Sequence, residues 1–91
     1  MELIKKKYEI IYTYCRENKE LLERYKRCTC LYCGKTFECT FIKEWINDRN
    51  DKTAICPYCN IDSIVPTEVN NNIDKYLLTK EMQEEIKKIY F

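Results

Sequence analysis

Apolar residues recur along the first quarter of the chain with helical spacing. Ile4, Tyr8, Ile11, Cys15, Asn18, Leu22 and Tyr25 follow one another at alternating steps of four and three, a heptad stripe with one polar member. Leu3, Ile10, Tyr14 and Leu21 widen the stripe, and charges of both signs fill the remaining surface. The pattern predicts one long amphipathic helix over residues 2–26. Its apolar face either covers the rest of the chain or forms the seam of a homodimer through residues 4–25, with Asn18 fixing the register.

Beyond residue 27 the apolar period shortens. Thr36-Phe37-Glu38-Cys39 reads as a strand, and Thr40 then caps one or two helical turns in which Phe41, Ile42, Trp45 and Ile46 share a face. Asn47 to Asp51 is a polar turn, Thr53-Ala54-Ile55 returns as a strand, and Ile61 to Val65 forms another. Pro66 to Asn72 reads as a connection. Thr79 caps a final helix whose early glutamates (Glu81, Glu84, Glu85) and late lysines (Lys87, Lys88) suit the helix dipole. Met82, Ile86, Ile89 and Tyr90 are expected on its inner face.

Two copies of one short pattern interrupt these elements. Cys30-Leu31-Tyr32-Cys33-Gly34 and Cys56-Pro57-Tyr58-Cys59-Asn60 each place two thiols three residues apart, followed by a residue that tolerates positive φ. Gly34 is the only glycine of the chain, and it stands where the backbone must reverse. Paired C-x-x-C turns supply four thiolates, the ligand set of a closed structural zinc site, so Cys30, Cys33, Cys56 and Cys59 are expected to hold one Zn²⁺. Cys28 competes in a shifted register, but pairing it with Cys30 leaves the Gly34 turn without a purpose. The same knuckles also suit a single iron for rubredoxin-like electron transfer.

Composition narrows the function. At 91 residues the sequence reads as one domain, 1–91, made of a helix (1–27), a ribbon (28–66) and a connection with a closing helix (67–91). A chain this short gains from a metal staple. An odd count of seven cysteines, four of them in C-x-x-C units, argues against a disulfide scaffold. The Tyr8–Tyr14 segment is too short and polar for a signal-peptide core, and no apolar run approaches a membrane span. The expected compartment is therefore the cytoplasm.

Catalysis has little behind it: the chain has no histidine, and no base marks Cys15, Cys28 or Cys39 as a nucleophile. Net charge is +1, and the basic excess falls on residues 1–27, with eight Lys/Arg against five acids, rather than on the knuckles. That places nucleic-acid binding behind protein interaction. Trp45, Asp48, Asp62 and Ser63 form the candidate recognition patch, Trp45 and Asp48 from the helical turn and Asp62-Ser63 from the exit of the second knuckle. The competing role for Asp62 and Ser63 is to bond the knuckle backbone.

The run from Cys30 to Ser63 carries a resemblance. C-x-x-C, Phe37, Glu44-Trp45, Asp48, Thr53-Ala54, Cys56-Pro57-x-Cys59 and Ile61-Asp62-Ser63, with the aromatic end Ile89-Tyr90-Phe91, are similar to a family of small uncharacterised bacterial cytoplasmic zinc-ribbon proteins. Residues 28–91 are covered, and Asn60 departs from that family's glycine. The resemblance implies a ribbon fold and a cytoplasmic setting, and no settled activity. The expectation is an α+β protein, a four-cysteine zinc ribbon with an inserted helical turn, flanked by a long N-terminal and a C-terminal helix. Its expected role is a non-enzymatic regulator, inhibitor or adaptor of bacterial or phage origin acting on a protein partner. A nucleic-acid-binding ribbon comes second, and a redox or small-molecule-binding protein third.

Overall fold

The computed structural model describes residues 2–71 and 74–91. Met1, Asn72 and Ile73 altogether, and the side chains of Glu2, Leu3 and Ile4, lie outside the described residues, and with them the first member of the stripe. In chain order come α1 (Glu2–Thr13), α2 (Lys19–Glu23), β1 (Arg27–Cys30), β2 (Thr36–Glu38) and a 3₁₀ turn (Cys39–Phe41). There follow β3 (Glu44–Asn47), β4 (Lys52–Ile55), β5 (Ile64–Pro66), β6 (Glu68–Asn70), β7 (Lys75–Leu77) and α3 (Lys80–Tyr90). All pairings are antiparallel: β1 sits between β2 and β5, while β3–β4 and β6–β7 are two-stranded.

The expected single helix is two. Backbone bonds from Tyr14 to Ile11 and from Cys15 to Tyr12 tighten the end of α1, and Glu17 takes a φ of +50°. This break turns Asn18 inward, where its exposure falls to 1%. Its amide Nδ2 donates to the carbonyls of Tyr14 and Ile64, both at 2.8 Å, and its Oδ1 accepts the N–H of Ala54 at 3.0 Å. A continuous helix would keep the 4-3 rhythm but forfeit these three bonds. The polar member of the stripe thus anchors the helical segment to β4 and β5.

Two further expectations are corrected. The segment around Trp45 is a strand rather than a helical turn: Trp45 pairs with Ala54 and Ile46 with Thr53 in a hairpin. Trp and Ile are good strand formers, and pairing with β4 satisfies their backbone. The connection after Pro66 also folds into a hairpin, Val69 against Tyr76, with both side chains buried. In α3, Thr79 Oγ1 accepts the N–H of Met82 as an N-cap should. Ile86 is fully buried, whereas Ile89 is 53% exposed and Gln83 takes the inner position instead.

Alternation through the central sheet separates two apolar clusters. Ile64 and Cys30 face one side with Leu22, Cys28, Phe37, Ile42, Ala54 and Cys56. Val65 faces the other with Tyr8, Ile11, Cys15, Leu31, Val69, Tyr76 and Ile86, where α1 and α3 close over the sheet. Tyr12 and Tyr90 stack at 4.1 Å across the two helices. Between the clusters, Thr29 shares its hydroxyl with Thr36 and Thr67, at 2.9 Å each.

Candidate metal centre

The two knuckles are built alike. In the first, the N–H of Gly34 bonds the carbonyl of Cys30 at 2.9 Å, and the N–H of Cys30 bonds that of Lys35. In the second, the N–H of Asn60 bonds the carbonyl of Cys56 at 3.0 Å, and the N–H of Cys56 bonds that of Ile61. Gly34 has φ +81° and Asn60 φ +65°, the left-handed residues that each turn requires. A Cβ at Gly34 would also meet Lys80 Nζ at 2.7 Å, but that flexible end can move aside, so the left-handed backbone is what calls for glycine here.

This duplication brings Cys30, Cys33, Cys56 and Cys59 together, all four sulfurs within 4.8 Å of one another. Cys30 and Cys59 lie 3.6 Å apart, Cys33 and Cys56 3.8 Å. A tetrahedron with ~2.3 Å metal–sulfur bonds has edges of about 3.8 Å, so the donor set fits a tetrahedral metal ion. Cys30 and Cys56 are fully buried, while Cys33 and Cys59 are half-buried on the solvent side.

The surroundings favour thiolate at Cys30. Burial opposes ionisation there, but the N–H groups of Cys33 and Tyr32 and the hydroxyl of Ser63 outweigh it and lower the thiol below its ordinary range. Burial raises Cys33 and Cys59, and the charge of Cys30 adds to the rise. A cation reverses this last effect, so metal binding releases protons from the site.

Ser63 is fully buried, its Oγ 2.9 Å from Cys30 Sγ, and its carbonyl accepts the N–H of Leu31 at 2.8 Å. The bracing role read from sequence was a side-chain bond to the knuckle backbone; here the backbone contact is made by the Ser63 carbonyl, and its hydroxyl meets a sulfur instead. Asp62, next to Ser63, is exposed. Asp48 occupies the β3–β4 turn, where it accepts from Thr53 Oγ1 at 3.0 Å and from the N–H of Arg49. These bonds hold its carboxyl below the usual range. Thr53 Oγ1 in turn accepts the N–H of Glu17, tying the hairpin to the helix break. Trp45 packs beside the metal-site cluster under Lys19, whose Nζ lies 5.4 Å from the ring. The four residues expected in one patch therefore lie in four different settings.

Sequence reasoning missed Gln83. Its Nε2 donates to the carbonyl of Leu31 at 2.7 Å, fastening α3 to the first knuckle. A glutamine between glutamates on a helix reads as surface, so no signal in the pattern marked it. Of the remaining cysteines, Cys28 and Cys39 share a hydrogen bond beside the site, and Cys15 is buried under α1. None of the three belongs to the four-sulfur group.

No helix among the described residues is long and apolar enough to cross a membrane. Models of known protein families, curated proteins and solved structures were all compared with this chain, and none matches.

Proposed function

We propose that the protein is a zinc-stabilised, non-enzymatic interaction module that regulates, inhibits or adapts a protein partner. The observation that carries this reading is the closure of the cysteine site. Four sulfurs complete a tetrahedral shell and leave no position for substrate, which makes the metal a fold-holding ion. The paired-knuckle spacing and the resemblance of residues 28–91 to bacterial zinc ribbons support zinc as its identity. The docking face proposed for the partner surrounds Trp45. A cavity of about 420 Å³ opens beside it, lined by the apolar Leu22, Tyr25 and Ile42 and by Lys19 and Glu23. A half-exposed tryptophan between apolar neighbours is the kind of anchor that interfaces use.

Self-association through residues 4–25 draws no support from the fold. Tyr8, Ile11, Cys15, Asn18 and Leu22 are already buried within the chain.

A second reading, nucleic-acid binding, has one observation behind it. Each knuckle presents an exposed tyrosine with a lysine over its ring: Lys87 lies 4.7 Å from Tyr32 and Lys35 5.1 Å from Tyr58. Affinity capture from host lysate with and without nuclease separates the two readings. The proposed module retains a protein partner after nuclease treatment and loses it on Trp45→Ala. Retention that vanishes with nuclease, or with moderate salt alone, favours nucleic acid. A purified protein with visible absorbance would indicate iron and a redox role.

A further inference from the structure

We propose that the cavity between the end of α1, the exit of the second knuckle and Phe91 is a binding site for a small zwitterion, a free amino acid or a molecule with the same ammonium and carboxylate groups. The cavity measures about 630 Å³, within the range of small-molecule sites. It lies apart from the Trp45 face, so it stands or falls independently of the partner proposed above.

Two observations converge on it. Arg16 and Asp62 both line the space, and neither side chain makes a hydrogen bond or ion pair among the described residues. Opposite charges facing one cavity without neutralising each other match a ligand that carries the complementary pair, its carboxylate on Arg16 and its ammonium on Asp62. Secondly, Tyr12 and Phe91 supply an aromatic wall, their rings meeting edge to face at 5.7 Å, with Phe91 46% exposed. Such a wall suits an apolar or cationic side group. Glu17 lines the same cavity, but its carboxylate is engaged away from it, accepting the N–H of Asn50 at 2.9 Å.

Charge balance selects the ligand class. Asp62 against Arg16 leaves the unengaged charges of the lining balanced, which matches a ligand that carries both signs and is neutral overall. Cys15 forms the floor, kept neutral first by burial and then by Asp62, with Arg16 opposing, so it offers no competing charge.

Calorimetric titration of the metal-loaded full chain with L-phenylalanine, L-arginine, glycine and AMP tests the proposal. The expected result is saturable binding of at least one of the amino acids in preference to AMP. Asp62→Asn and Arg16→Gln should each weaken that binding by about tenfold or more, with metal content and melting temperature unchanged. Should either variant lose metal or melt early, Phe91→Ala, at the exposed rim, is expected to weaken binding in its place. No binding at millimolar amino acid, tighter binding of AMP, or affinity unaffected by the substitutions would overturn the assignment.

Discussion

The side-chain oxygen of Asn18 accepts the backbone N–H of Ala54 at 3.0 Å in the interior of the protein. The same side chain donates to Ile64, so one residue joins the helix break to the strand that enters the second knuckle and to the one that follows it. Asn18→Ala leaves that N–H and two carbonyls without the partner, at a cost of about 3 kcal/mol. Asn18→Leu should fare no better, because size does not replace the bonds. Urea denaturation measures both. A loss below about 1 kcal/mol would show that the bonds contribute little.

Ser63 and Asp62 should separate cleanly on mutation. Ser63→Ala removes the hydroxyl 2.9 Å from Cys30 Sγ and should lower metal affinity by about tenfold or more. Asp62→Ala, on the exposed side, should leave it unchanged. Competition with a chromophoric chelator reads both, and equal effects from the two would contradict the assignment.

The spare thiols should differ in reactivity. Cys39 is half-buried, and the hydrogen bond from Cys28 outweighs burial and holds its thiol below the ordinary range. Cys15 and Cys28 are 3% and 0% exposed, and burial pushes the Cys15 thiol up. Native alkylation followed by peptide mass spectrometry should find Cys39 modified first, and Cys15 only after unfolding. Equal labelling of Cys15 and Cys39 would contradict the burial described.

Alkali should destabilise the fold in a defined window. The hydrogen bond to Glu85 and burial push Tyr8 up to about 12, and burial with the bond to Asp74 pushes Tyr14 up to about 12, from an ordinary 10. The folded state then keeps protons that the unfolded state has released. The contribution is fully present below pH 10 and is lost as pH rises from 10 to 12. Denaturation midpoints across that range should fall, and fall less steeply for Tyr8→Phe combined with Tyr14→Phe. An equally steep fall in the double variant would assign the loss to other groups.

The metal site was legible in the sequence because it is local. Two C-x-x-C turns, each with a residue tolerant of positive φ, encode their geometry within five residues, and Gly34 and Asn60 adopt it. Elements that depend on partners distant in the chain were less legible. Asn18 reads as one polar residue in a heptad stripe until β4 and β5 are seen to need its amide. Trp45 and Ile46 fit a short helix as well as a strand by spacing, and the pairing with Ala54 and Thr53 decides between them. Ser63 and Asp62 are neighbours in sequence, yet Ser63 is buried and Asp62 exposed in the bend before β5, a difference that a linear motif conceals.

Zinc content tests the central claim most directly. Elemental analysis of the purified chain should find about one zinc per molecule, held until a chelator strips it and unfolds the ribbon. The Cys33→Ser, Cys59→Ser double variant should lose it. Protein that carries no zinc, or a double variant that retains it undiminished, would contradict the account.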